Sequence, residues 1–144
     1  MREQNYQITE NLKQTYQLIV AKFDSISNLD VIAISIPKLS APFQFHFHDL
    51  LKEYHMEQDK LDECFHDLMF NAKSGRIPMG LVNFGTSELK KMVETEPKYR
   101  AIQNNLNTIQ EEMKIVEEML GTIKQFSFNI SNAIKYRDLV SGAR

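Results

Sequence analysis

Residues 99–140 read YRAIQNNLNTIQEEMKIVEEMLGTIKQFSFNISNAIKYRDLV, and the reading of this stretch decides the fold. Tyr99, Ile102, Leu106, Ile109, Met113, Val116, Leu120 and Ile123 follow one another in alternating steps of three and four. Ile130 and Ile134 resume the series after Ser127. A spacing of about 3.5 residues places these side chains on one stripe of a single helix. Such a helix is about 60 Å long at roughly 1.5 Å per residue, too long to bury its stripe on itself. It needs other helices, from this chain or from copies of it. Ile102, Leu106, Ile109, Met113, Val116, Leu120, Ile123, Ile130 and Ile134 are therefore the candidate oligomer interface.

Upstream, residues 5–27 form an N-terminal helix by the spacing of Ile8, Leu12, Tyr16, Ile19, Phe23 and Ile26. Residues 28–42 change character: Val31 to Ile36 is largely β-branched, Ile32, Ile34 and Ile36 alternate, and Pro37 closes the run. That pattern favours an extended segment, either a short strand or extended coil. Pro42, with Ser40 as cap, suits the first turn of a second helix over 43–72, whose stripe runs from Phe43 through Leu50 and Leu61 to Ala72. Gln58 is the polar residue in that stripe. A loop at 73–86 holds Gly75, Gly80, Gly85 and Pro78, with Gly75 as the helix stop. Residues 87–140 then give a short helix, a start signal at Thr95-Glu96-Pro97 and the long final helix. The expected fold is all-α: one elongated helical domain over 1–144, built from coiled-coil-like helices with one short extended segment.

Composition bounds the function. A chain of 144 residues is one domain by length, and 42% hydrophobic with 25% charged residues is ordinary for a soluble globular protein. The net charge of −2 gives no bulk field for a polyanion, so any nucleic-acid surface has to be a local patch. The single cysteine, Cys64, forms no intramolecular disulfide and fits a reducing compartment. The first five residues, Met-Arg-Glu-Gln-Asn, lack the apolar run expected of a signal peptide, and no window holds the ~20 apolar residues of a membrane span. These features fit a soluble intracellular protein with no membrane partner.

No catalytic or cofactor motif is present: the glycines lack a phosphate-loop ending, and Cys64 has no supporting signature around a histidine. His48, His55 and His66 share a helical face, but along one helix they lie roughly 10 and 16 Å apart. One metal, with ligands at about 2 Å, cannot take all three. His46 lies off that line. Glu111, Glu112, Glu117 and Glu118 read as a solvated acidic face, with Lys114 paired between Glu111 and Glu118. The expectation is a protein that is not an enzyme, with no metal and no cofactor.

After Gly121 the charge reverses. Lys124, Lys135, Arg137 and Arg144 stand against Asp138, a net of +3 over 122–144, with Phe126, Phe128 and Tyr136 interleaved. Cations with aromatics bind single-stranded nucleic acid by neutralising phosphates and stacking bases. The competing account is that cations suit a helix C-terminus and the aromatics are packing residues. Lys73 and Arg76 make a second small basic cluster around Gly75.

In this same segment, Phe128, Ile130, Asn132, Ala133, Ile134, Tyr136 and Gly142 fit an aromatic-x-Ile-Lys-Asn-x-Ile pattern followed by an aromatic and a glycine, with Ser131 in place of the lysine. Ile36-Pro37-Lys38-Leu39 and Ser74-Gly75-Arg76 stand in a matching order upstream. Over roughly residues 30–144 the chain resembles the UvsY family of phage recombination mediators. The resemblance implies a ring-like homo-oligomer, assembled chiefly through the C-terminal helix, that works in DNA recombination, repair and replication. It implies three further partners: single-stranded DNA, a RecA-like recombinase loaded onto it, and the single-strand-binding protein that covers it. It also implies a place in the host-cell cytoplasm. The family's basic stretch before Ser-Gly falls beside Lys73 and Arg76, although residues 67–72 here carry Asp-Leu-Met-Phe-Asn-Ala instead of several Lys and Arg. The expected DNA contacts are Lys73, Arg76, Lys124, Lys135 and Arg137. The alternative is a protein-only coiled-coil adaptor or structural phage protein.

Overall fold

A computed structural model describes residues 1–24, 29–73 and 85–142. It contains four helices: α1 (Arg2–Asp24), α2 (Leu29–Lys73), α3 (Thr86–Glu94) and α4 (Pro97–Gly142). There is no strand among the described residues, so the all-α expectation holds.

The extended segment expected at 28–42 is corrected: from Leu29 the chain is already in α2, and the helix runs through Pro37 and Pro42. Each proline removes one helix hydrogen bond and crowds the preceding turn, which costs about 3 kcal/mol in a helix interior. Burial outweighs this. Ile32, Ile36, Leu39 and Phe43 are spaced by four, three and four, and all belong to or pack on one core cluster. The alternation of Ile32, Ile34 and Ile36 misleads because Ile34 points to solvent, 80% exposed. Two hydroxyls bond within the prolyl turns: Ser35 Oγ donates to the Ile32 carbonyl (2.8 Å) and Ser40 Oγ to that of Pro37 (3.1 Å). Ser40 is therefore inside the helix and not its cap. The stop expected at Gly75 and the apolar residues Ile77, Leu81, Val82 and Phe84 lie outside the described residues, as does Ile26.

Contacts divide the chain into two compact units. One comprises Met1–Leu51 with Glu112–Arg144. Its core joins Leu12, Ile19 and Phe23 of α1, Ile36, Phe43 and Leu50 of α2, and Val116, Met119, Leu120, Ile123 and Ile130 of α4. The rings of Phe23 and Phe126 pack at a tilt of 36° with centroids 4.6 Å apart, within the range for a favourable aromatic pair. Asn5, Thr9, Ser40, His46 and Glu112 are buried polar residues of this unit. The Thr9 hydroxyl donates to the Asn5 carbonyl (3.0 Å), which leaves it to accept from His46 Nε2–H (2.7 Å). Glu112 is buried and ion-paired to Arg2.

The other unit is Lys52–Glu111. Leu61, Cys64, Met69, Val93, Leu106 and Ile109 are its buried hydrophobics. Phe65 packs at 6.3 Å from Tyr99, and Gln110 Nε2 donates to the Tyr54 hydroxyl at 3.2 Å. The start signal at 95–97 divides between two helices. Pro97 opens α4, but the Thr95 hydroxyl donates back to the Met92 carbonyl (2.7 Å) and so closes α3. Gln58 bonds Asp62 on the surface (3.1 Å) and does not mark a polar layer in the stripe.

Candidate nucleic-acid interface

The stripe of the last helix is covered within one chain. Leu106, Ile109, Val116, Leu120, Ile123 and Ile130 are buried, and Ile102, Met113 and Ile134 are half-buried. Burying these residues fixes which face α4 turns to solvent beyond Gly121. At roughly 100° per residue, Lys124, Phe128 and Lys135 fall within about 40° of one another, far from Ile123 and Ile130. All three are exposed, with Asn132 and Tyr136 flanking them on the same side. Phe128 is 61% and Tyr136 71% exposed, so neither is a core residue. Phe126, by contrast, is taken up by its packing against Phe23. The aromatics grouped together by sequence thus separate into one packing residue and two free faces.

The helix-dipole account of these cations weakens for a geometric reason. α4 continues to Gly142, with no basic residue in its last turn. Dipole stabilisation falls off within that turn, and Lys135 lies upstream of it. Neither Lys124 nor Lys135 forms an ion pair with a described residue.

Arg137 stands differently. Its guanidinium makes a bidentate contact to Asp30 of α2, at 3.0 and 3.2 Å, and also touches Asp138 at 3.2 Å. The Arg137 hydrogen bonds hold the Asp30 carboxyl below its ordinary range, and the two carboxylates raise the guanidinium further. Of the five expected DNA contacts, Lys124 and Lys135 share one face of α4, Arg137 is engaged by acids, and Lys73 is exposed at the end of α2. Arg76 lies outside the described residues.

The acidic group of α4 also divides. Glu111, Glu117 and Glu118 are exposed, while Glu112 is buried against Arg2. The expected pairing of Lys114 with Glu111 and Glu118 is not among the ion pairs of the described residues. His46, which sequence reasoning set aside, is buried against Thr9. Its position three residues after Phe43 and four before Leu50 was the available signal, since that is the spacing of the buried stripe. His48, His55 and His66 are exposed, and no cluster suited to a metal ion occurs among the described residues. No helix among them is long and apolar enough to cross a membrane.

The described residues thus form an all-helical protein with cations and aromatics exposed along one helix face. The family model described as recombination, repair and ssDNA binding protein UvsY matches residues 21–143, and the chain belongs to that family. Comparisons with curated proteins and with solved structures gave no match.

Proposed function

We propose that this protein is a recombination mediator: it captures single-stranded DNA on the exposed face of α4 and helps load a RecA-like recombinase onto it, displacing single-strand-binding protein. The observation that carries the reading is the exposed face of Lys124, Phe128 and Lys135, with Tyr136 beside them. Two lysines about 16 Å apart along a helix reach phosphates that are not adjacent on a flexible strand, and the rings between and beside them offer stacking surfaces that tolerate any base. The role is one of binding and hand-over, without catalysis.

A chain of net charge −2 carries few such contacts, so one copy holds DNA weakly. Homo-oligomerisation supplies the remainder, because linked weak sites gain avidity without new contacts. With most of the α4 stripe covered within one chain, the apolar residues that a second copy can reach are exposed ones. Ile34 and Phe45 lie on one face of α2, and Leu139 and Val140 lie near the end of α4. Lys73 and Arg76 remain a second candidate contact. The same exposed apolar residues favour the other reading, a protein-only adaptor.

Fluorescence anisotropy with a labelled oligonucleotide, titrated against salt, separates the two. Mediation predicts affinity that falls with salt at a log–log slope of about −0.7 per phosphate engaged. Lys124→Glu with Lys135→Glu should weaken binding and flatten that slope, while helix content by circular dichroism is unchanged. Reversal at Lys73 and Arg76 that alone abolishes binding would move the site to the end of α2. An absence of binding at about 50 mM salt would leave the adaptor.

A further inference from the structure

Next to the exposed face of α4 lies a cleft of about 480 Å³ within the larger core unit, lined by Gln44, Phe47 and His48 of α2 and by Glu117, Gly121 and Lys124 of α4, with Leu120 beneath. We propose that this cleft receives one unstacked base of the bound single strand, an inference that rests on the mediator reading above.

Three observations converge. The first is Gly121. A glycine inside a helix is unfavourable relative to alanine, and here no contact among the described residues requires it: a Cβ built on Gly121 meets nothing within 4 Å. The space that a side chain would fill is left open at the wall of the cleft. The second is continuity. Glu117, Gly121 and Lys124 lie within roughly 60° of one another on α4, on the same side as Phe128 and Lys135. Lys124 both lines the cleft and begins the cation–aromatic face, so a strand tracking along Lys135, Phe128 and Lys124 arrives at the opening. The third is chemistry. The volume lies within the range of small-molecule sites. Phe47 and His48 line it with aromatic rings, and the Gln44 amide offers donors and acceptors. Glu117 makes the cleft unsuited to a phosphate but accepts hydrogen bonds from base N–H groups. A cation and a carboxylate on the wall of one cleft fit a nucleotide whose phosphate meets Lys124 while its base meets Glu117.

The test uses the full chain with two labelled strands of equal length, one carrying bases and one composed of abasic sites. Gly121→Gln fills the cleft with a good helix former placed in open space. Its helix content and melting temperature should be no lower than those of the unsubstituted protein. Its affinity for the base-bearing strand should fall on the order of tenfold, the loss of one stacked base. Its affinity for the abasic strand should not change, because the phosphate contacts at Lys124 and Lys135 are intact. Gly121→Met, which fills the same space without a polar group, should behave alike. Equal affinity of all three proteins for the base-bearing strand overturns the cleft and leaves the mediator reading standing. A loss that is the same on both strands also overturns it. If the substitutions spare DNA but abolish recombinase binding, the occupant is a protein segment and the proposal fails. If the unsubstituted protein binds neither strand, the mediator reading falls, and the cleft with it.

Discussion

Arg137 illustrates what charge sign alone leaves out. Sequence marks it as one of the cations after Gly121, but α2 brings Asp30 to it from 107 residues away. A guanidinium already holding two carboxylates offers a phosphate less than Lys124 or Lys135 does. Asp30→Asn removes the principal competitor. Arg137 lies roughly 160° around α4 from Lys135. With the strand on the Lys124 face, the affinity for single-stranded DNA and its salt slope should therefore stay the same, whereas a slope steeper by about 0.7 would bring a phosphate to Arg137. Unchanged anisotropy curves would show that Arg137 does not face the strand. The pair also has a pH signature. The Asp30 carboxyl is held below its ordinary value of 3.8, so the stabilisation is present above that value and is lost as pH falls through the lowered one. Between pH 5 and 8 the pair is constant, and any DNA-binding change in that window arises elsewhere.

At the scale of the element, the long final helix was legible because its 3–4 spacing persists over many turns. The second helix was legible only from Phe43 onward, because two prolines and a β-branched run satisfy the local rules for extended chain. What decides for helix is non-local. Ile32, Ile36 and Leu39 complete a stripe whose partners, Ile123 and Ile130, lie far along the chain, and no window of ten residues contains them. Pro42→Ala tests this. In a continuous helix the substitution restores a backbone donor toward the Lys38 carbonyl and should stabilise by about 1–3 kcal/mol, less the entropy the unfolded chain regains. A higher melting temperature with equal or greater helix signal is expected. A drop in stability would mean that proline's fixed φ is needed there, as it would be where one helix ends and another begins.

At the scale of the whole molecule, the question is what the α4 stripe binds. Periodicity establishes that Ile109, Val116 and Ile123 need cover but carries no record of whose side chains supply it. In this chain α1 supplies part: Leu12, Ile19 and Phe23 join the same core as Val116 and Ile123. Most of α1 precedes the family match, which begins at residue 21, so the resemblance alone could not have indicated that contribution. The candidate DNA face was legible as a composition, cations with aromatics after Gly121. Separating Phe126 from Phe128 needed the orientation of α4, which the packing of α1 and α2 sets. The same burial separates folding from assembly by experiment. Val116 is fully buried, so Val116→Asp places a charge in a packed core and should cost several kcal/mol, unfolding the unit and not merely parting folded copies. Ile34 and Phe45 are 80% and 70% exposed on one face of α2. Ile34→Glu with Phe45→Glu should leave the circular dichroism spectrum intact and lower the molar mass by light scattering if copies associate there. Val116→Asp giving a folded, smaller species would instead place the contact between copies on the α4 stripe itself.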